Sequence, residues 1–166
     1  MRQAFVFEKV AVIVGPWHEP MRPPERGARV EVRLLQPEPR RGSRSAAERV
    51  VIDQPVFRAD LFDQTNAPPG NLRSAHFHPS FVGVEPSDRH WDDAIQHDPT
   101  AWLRRQLGDL GALLERSGLG DEQVAEVSVD APAVRDAAPA IVAAVEAAWA
   151  TARADDAPAG LPAEAH

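Results

Sequence analysis

The spacing of apolar residues changes character near residue 85. Before it, apolar and polar positions alternate in short runs, a period typical of strands. The run RVEVRLL at 29–35 is the clearest case, with valine and leucine on one face and charged residues on the other. After it, apolar positions recur at helical spacing. The sequence therefore predicts a β-rich part, 1–84, and a helical part, 98–154.

The first apolar run, 3–14, has apolar residues on both faces, which predicts a central strand covered on both sides. A break at Pro55 is expected to divide the next β-like stretch into two short strands, because proline cannot donate a ladder hydrogen bond. The predicted strands are 3–14, 29–35, 48–54, 55–62 and 73–83. The connections 15–28 and 36–47 are rich in proline, glycine and arginine, which predicts exposed loops.

The helical part opens with a recognisable start signal. Asp98 stands where an N-cap is expected, and Pro99 occupies the first helical position. A leucine stripe follows at Leu103, Leu107, Leu110 and Leu114, and Gly118 is a suitable stop. A second helix is predicted from Pro132 or Pro139 to about Arg153, whereas 123–129 fits either a short strand or a helical turn.

These elements predict one α+β domain over 1–154, with an antiparallel sheet of about five strands followed by two C-terminal helices. A partly open β-barrel with the helices plugging one side is the alternative. The small, polar segment 155–166 is expected to be a disordered tail.

Composition narrows the function classes. The chain of 166 residues has no cysteine, which excludes thiol catalysis and thiolate metal ligands. A formal charge of −7 argues against nucleic acid or an anionic membrane as partner. No apolar run approaches the ~18 residues of a membrane span, and no signal peptide is recognised, so we expect a soluble, cytoplasmic protein. Abundant alanine, arginine and proline with scarce lysine resemble an actinobacterial composition.

Candidate chemistry is concentrated in residues 74–81, which read SAHFHPSF. Side chains alternate across a strand, so His76 and His78 share one face, while Phe77 and Phe81 take the other. If this strand pairs with 55–62 across the turn at 66–70, Arg58 and Asp60 join the histidine face. The register itself is not readable from the sequence.

Two imidazoles on one face suit Zn²⁺, Fe²⁺, Mn²⁺ or Ni²⁺, and a catalytic site would add a third ligand, often a carboxylate. The candidates for that ligand are Glu85, Asp60, Asp63 and His90, of which Glu85 completes the predicted metal set with His76 and His78. Two other interpretations remain open: a pair of histidines facing water, which we favour slightly, and a catalytic base.

The loop 85–91 joins the sheet to the helices, a place where sites often occur. Arg89 is a candidate clamp for a carboxylate or phosphate, Trp91 a flat wall beside it, and Arg58 a further ligand-binding residue. The alternative is that Arg89 pairs with a neighbouring aspartate (Asp88, Asp92 or Asp93) while Trp91 anchors the loop.

Two resemblances bear on this region. The first is to the opening of the first cupin motif, which is similar to Gly70 followed, after five residues, by His76-Phe-His78. This resemblance implies a β-barrel that holds a metal. The chain departs from the motif, because Val82 and Gly83 stand where the cupin glutamate is expected and the second cupin motif has no counterpart. The segment HFHPSFVGVEPSDRHWDDAIQHDPTAWLRRQL resembles an uncharacterised actinobacterial protein family over about 55–115, which implies no chemistry.

The sequence thus supports three hypotheses. The first is a domain that binds a divalent metal or a small anion on the His76/His78 face. The second is a non-catalytic interaction domain, with a homo-oligomer as one form. The third is a cupin-like, metal-dependent enzyme. Whether the chain is an enzyme stays open.

Overall fold

The computed structural model describes residues 1–20, 23–38 and 50–154. Its strands are β1 (Gln3–Val6), β2 (Val10–Glu19), β3 (Glu25–Pro37), β4 (Val50–Gln64), β5 (His76–His78), β6 (Phe81–Val82) and β7 (Glu85–Pro86). Its helices are α1 (Asp93–His97), α2 (Pro99–Gly108), α3 (Leu110–Glu115), α4 (Asp121–Val127) and α5 (Ala131–Ala154), with a 3₁₀ turn at Ser128–Asp130. The predicted tail, 155–166, and residues 39–47 of the second predicted loop lie outside the described residues.

Five strands form one sheet in the order β1-β2-β3-β4-β5, with every neighbouring pair antiparallel. The predicted α+β class is therefore confirmed. The sheet is not closed into a barrel, because β1 and β5 lie at its opposite edges. The hairpin of β6 and β7 forms a separate small sheet.

The first predicted strand, 3–14, is in fact two strands, since the chain turns between Val6 and Val10. The predicted loop 15–28 is wrong at both ends, because β2 continues to Glu19 and β3 begins at Glu25. Pro16 is tolerated inside β2 because β1 pairs with β2 only as far as Val14. Beyond that point β2 has a neighbour on one side, and the missing N–H of proline faces no ladder partner.

The third and fourth predicted strands are one continuous strand, β4, 15 residues long. The register between β3 and β4 shifts on either side of Arg33, the residue opposite Pro55. Proline is accommodated at such irregularities, because a bulged residue needs no ladder hydrogen bond. Pro55 therefore bends the ladder without ending the strand.

One face of the sheet packs against the helices and forms the core. Its buried strand residues alternate along the chain: Val10, Val12, Val14, Ala28, Val30, Val32, Leu34, Phe57, Ala59 and Leu61. The predicted leucine stripe, 103–114, is fully buried against this face, as predicted. The indole N–H of Trp149 on α5 donates to the Leu61 carbonyl at 2.8 Å and fixes α5 to β4.

The helix start at Asp98 and Pro99 is confirmed, because the Asp98 carboxylate accepts the Ala101 N–H at 2.8 Å. The leucine stripe, however, spans two helices: Asp109 caps a new one, so α2 ends at Gly108. The ambiguous segment 123–129 is helical, and α5 begins at Ala131 and runs through Pro139. No helix within 1–20, 23–38 and 50–154 is long and apolar enough to cross a membrane.

The opposite face of the sheet carries the polar residues. Two neighbouring rows cross four strands there, each residue paired with the next across the sheet. One row is Gly15, Arg29, Asp60 and His76, and the other is Ile13, Glu31, Arg58 and His78. We call this the polar face; the candidate site lies at its β4–β5 end.

Candidate metal centre

Strand β5 pairs antiparallel with β4, which places His76 opposite Asp60 and His78 opposite Arg58. The conditional prediction that these four residues share one face is therefore confirmed. The opposite face is apolar at Phe77, whose ring packs 5.4 Å from that of Trp102 in the core. The predicted alternation ends at His78, because Phe81 belongs to β6 and its ring lies 5.7 Å from the Arg58 guanidinium.

Both histidines are shielded from solvent. Only 1% of His76 and 5% of His78 is exposed, so the preference for a pair facing water is wrong. The segment after β7 runs beside β5, with Phe77 and His90 exchanging backbone hydrogen bonds of 3.0 and 2.8 Å. Trp91 then places its ring 5.4 Å from that of His76. The loop that leads into the helices covers the histidines from the side that the core leaves open.

Backbone carbonyls fix the protonation of one nitrogen on each ring. The Nδ1 atom of His76 lies 2.7 Å from the Ser74 carbonyl oxygen, and that of His78 lies 2.6 Å from the Ser87 carbonyl oxygen. A carbonyl can only accept, so both Nδ1 atoms must donate a proton. In the neutral rings the lone pair is therefore on Nε2, the nitrogen that remains for another partner.

Both Nε2 atoms point at one carboxylate oxygen. Asp60 Oδ2 lies 3.4 Å from His76 Nε2 and 3.6 Å from His78 Nε2. One ligand atom from each residue lies within 4.8 Å of the other two, and all three residues are buried. His78 Nε2 has no hydrogen-bond partner although it is buried. Two ligand atoms each about 2.1 Å from a tetrahedral ion lie about 3.4 Å apart, so these separations suit a shared metal.

Asp60 is held in place by arginines as well. Arg29 donates to both carboxylate oxygens, from Nε to Oδ1 at 2.6 Å and from Nη2 to Oδ2 at 3.2 Å. Arg58 Nε lies 3.2 Å from Oδ2. Burial would raise the pKa of the Asp60 carboxyl, but the hydrogen bonds and positive charge of Arg29 help to hold the pKa well below its ordinary value. Asp60 is therefore an anion at neutral pH.

Of the candidates for a third ligand, Asp60 alone joins the histidines within the described part of the chain. Glu85, the residue chosen from the sequence, is exposed in β7 and pairs with Val82 there. Asp63 instead accepts the Gly70 and Leu72 N–H groups and pairs with a helix arginine. His90 is exposed, with its ring 5.5 Å from that of Phe77.

The three predicted ligand-binding residues take different positions. Trp91 forms the rim above His76, and 55% of it is exposed. Arg58 lies beside Asp60, and burial lowers its pKa although Asp60 opposes this. Arg89 pairs with Glu25 at the start of β3, where Nη1 lies 3.3 Å from Oε1. The alternative interpretation, in which Arg89 pairs with a neighbouring aspartate, is therefore wrong. Its side chain is half exposed.

Arg29 is the site residue that the sequence did not indicate. Its guanidinium carbon lies 3.6 Å from the centre of the Trp17 ring while its nitrogens hold Asp60, so it is fixed between an aromatic face and a carboxylate. The alternation of RVEVRLL shows that Arg29 is on the polar side of a strand. It does not show that β3 lies next to β4, which is what brings Arg29 to Asp60.

Comparisons of the chain with protein-family models, with curated proteins and with solved structures returned no match. The resemblances to an actinobacterial family and to the cupin motif therefore stay predictions.

Proposed function

We propose that this protein binds one divalent transition-metal ion through Asp60, His76 and His78. One observation carries the proposal: two imidazole Nε2 atoms, on rings whose Nδ1 atoms bind backbone carbonyls, face the same buried carboxylate oxygen. Lone pairs facing one another repel, and burial denies them water. A cation among them removes both costs.

Direct hydrogen bonding explains the geometry less well. If both rings were protonated, each Nε2 would donate to Asp60 in a charge-assisted bond, for which about 2.7–2.9 Å is usual. The separations of 3.4 and 3.6 Å are longer than that. They correspond instead to ligands that share an ion.

The surroundings resemble those of known metal ligands. Metal-bound histidines commonly donate their second N–H to a carbonyl, and metal-bound carboxylates are in turn hydrogen-bonded. His76 and His78 meet the first condition through Ser74 and Ser87, and Asp60 meets the second through Arg29. Two imidazoles and one carboxylate suit Zn²⁺ or Fe²⁺ and leave coordination positions open.

The positive charges near Asp60 favour some ligands over others at the open coordination positions of the proposed metal. Arg29 and Arg58 bring two positive charges to one carboxylate, so a divalent ion there favours an anionic co-ligand over a neutral one. Arg58 Nε is buried without a hydrogen-bond acceptor and could donate to such a ligand. A metal-bound hydroxide or a substrate carboxylate would meet both requirements. The site is thus suited to a metal that acts on, or is completed by, an anion.

The test is the metal content of untagged protein, followed by calorimetric titration of the metal-free form with Zn²⁺ and, without oxygen, Fe²⁺. We expect about one equivalent to bind. His76→Ala and His78→Ala should each lower the affinity by at least ~100-fold, since each removes one of three ligands.

The matched control is His97→Ala, an exposed histidine at the end of α1. It should bind as the wild type does, and near-UV circular dichroism should show that all variants are folded. The proposal is overturned if wild-type protein binds less than about a tenth of an equivalent and gives no heat with either ion. Equal affinity of His76→Ala and His97→Ala would overturn it as well.

A further inference from the structure

A cleft of about 500 Å³ opens on the polar face, on the β1–β3 side of the metal centre. Nine of the residues that the structure describes line it, and among these nine are Arg2, Arg29, Arg33 and one acidic residue, Glu31. Arg29 belongs both to this cleft and to the metal centre, because it lies next to Asp60 across the sheet. The cleft and the proposed metal centre therefore have one residue, Arg29, in common.

The acidic residue of the cleft is already neutralised. Glu31 Oε2 lies 2.7 Å from Arg33 Nη1, and Arg33 Nε also donates to the Asp53 carbonyl at 2.7 Å. Arg29 is paired with Asp60. With Arg29 paired to Asp60 and Arg33 paired to Glu31, the charge of Arg2 leaves the described lining of the cleft positive in a chain whose formal charge is −7. A positive concave site on an acidic protein concentrates anions.

Arg2 is the cation that remains for a ligand. It forms no ion pair with any residue in 1–20, 23–38 or 50–154. Its stem crosses the floor of the cleft over Gly15, where an added Cβ would lie 2.6 Å from the Arg2 Cγ. Glycine at this position therefore makes the room that Arg2 occupies.

The remaining lining is apolar and flat. Trp17 and Ile13 contribute to it, and the Trp17 ring is held by the Arg29 guanidinium stacked at 3.6 Å. Ligand sites typically combine such apolar walls with a few polar groups that fix orientation. A guanidinium and an indole that line the same cleft suit a carboxylate with a planar body, since the guanidinium takes the charged end and the indole takes the body.

We propose that this cleft binds a small organic carboxylate with a flat apolar body, whose carboxylate is held by Arg2. The inference goes beyond the metal proposal and does not depend on it, because Arg2, Trp17 and Ile13 are not metal ligands. The two sites share Arg29, which lines the cleft and also binds Asp60.

The probe is benzoate, titrated into full-length protein freed of metal with EDTA and followed by nuclear magnetic resonance. Saturable shifts are expected at the Trp17 indole N–H and the Ile13 amide. Benzamide has the same ring without the charge, and it should bind about tenfold more weakly. Arg2→Gln should weaken benzoate about tenfold and Arg2→Glu should abolish saturation, because the guanidinium supplies the charge.

Arg105→Gln is the control, since it removes one positive charge from an exposed position on α2, on the helical side of the sheet. It should leave benzoate affinity unchanged. Equal affinities for benzoate and benzamide would overturn the proposal. So would shifts confined to other residues, or an Arg2→Gln affinity equal to that of Arg105→Gln. Absence of metal binding would leave these expectations intact, so the two proposals fail separately.

Discussion

The carboxylate of Asp130 accepts three backbone N–H groups from the turn between β1 and β2. They are those of Glu8 at 3.1 Å, Lys9 at 2.7 Å and Val10 at 2.9 Å. Asp130 lies in the 3₁₀ turn before α5 and is only 4% exposed. A single residue thus joins the turn of the first hairpin to the helical layer, and it satisfies donors that no strand partner reaches.

We predict that Asp130→Asn lowers the free energy of unfolding by about 1–3 kcal/mol, because one buried N–H would face the amide group of asparagine and stay unsatisfied. Urea denaturation measures this. Asp136→Asn is the matched control on the exposed side of α5 and should change the free energy by less than about 0.5 kcal/mol. Equal effects of the two substitutions would contradict the role given to Asp130.

Among the elements, the pairing of β3 with β4 determines the polar face, since it brings Arg29 next to Asp60 and Glu31 next to Arg58. Gly27 lies close to the backbone of β4. A Cβ built there would clash with the Leu61 carbonyl oxygen and lie 3.0 Å from the Phe62 Cα. Both neighbours are backbone atoms, which cannot rotate away as a side chain would.

Gly27→Ala should therefore destabilise the protein by about 1–3 kcal/mol or more, because the strands must separate to admit the methyl group. Gly108→Ala provides the comparison, since nothing lies within 4 Å of a Cβ at Gly108 and alanine favours a helix. Thermal denaturation followed by far-UV circular dichroism compares the two. A Gly27→Ala midpoint at or above that of wild type would show that β3 and β4 are not so close.

Helix α2 begins on a cap that depends on pH. The Asp98 carboxylate accepts the Ala101 N–H at 2.8 Å and the Thr100 hydroxyl at 3.0 Å, and these bonds lower the pKa of Asp98. A carboxyl whose pKa is lower in the folded state stabilises the fold above its unfolded value of ~3.9, and that stabilisation is lost as the pH falls through the folded pKa.

We therefore predict that the Asp98 carboxyl titrates below ~3.9 and that the Ala101 amide loses protection, relative to its intrinsic exchange rate, as the pH falls through that midpoint. Nuclear magnetic resonance measures both. Asp98→Asn retains a good cap without a titrating group, so its Ala101 protection should lack this step. A midpoint at or above ~3.9 for Asp98 would contradict the prediction.

At the scale of the whole molecule, folding and the proposed metal site use opposite faces of the sheet. The core lies between the helices and the apolar face, and its members include Val12, Val30 and Ile141, each 0% exposed. The proposed metal ligands lie on the polar face under the 85–91 loop. We therefore expect the fold to form without an ion, in contrast to small domains that a metal holds together.

Chelation of the metal should accordingly leave the far-UV circular dichroism unchanged. Zn²⁺ at 100 times its dissociation constant should then stabilise the protein by about 2.7 kcal/mol, because it binds the folded state alone. Thermal denaturation with and without Zn²⁺ measures the shift, which His78→Ala should lose and His97→Ala should keep. Loss of secondary structure on chelation would contradict this separation of core and site.

Interactions between residues close together in the chain determined several of the strand faces and helix ends of this protein. Alternation in the sequence placed His76 and His78 on one face, and the capping residue and proline marked the start of α2. Both follow from contacts among residues close in the chain, which a sequence displays directly. The tolerance of Pro16 and Pro55 in long strands could not be predicted in this way, because it depends on which strands neighbour them and where the ladder is irregular.

Only the tertiary structure decided the composition of the site. Asp60 instead of Glu85 meets the histidines because β4 pairs with β5 in one register, and Arg29 reaches Asp60 because β3 lies on the other side of β4. The same structure buries a histidine face that alternation alone would leave in water, because a loop from a later part of the chain folds over it. Periodicity gives the direction of a side chain, whereas its neighbours and its exposure depend on long-range pairing.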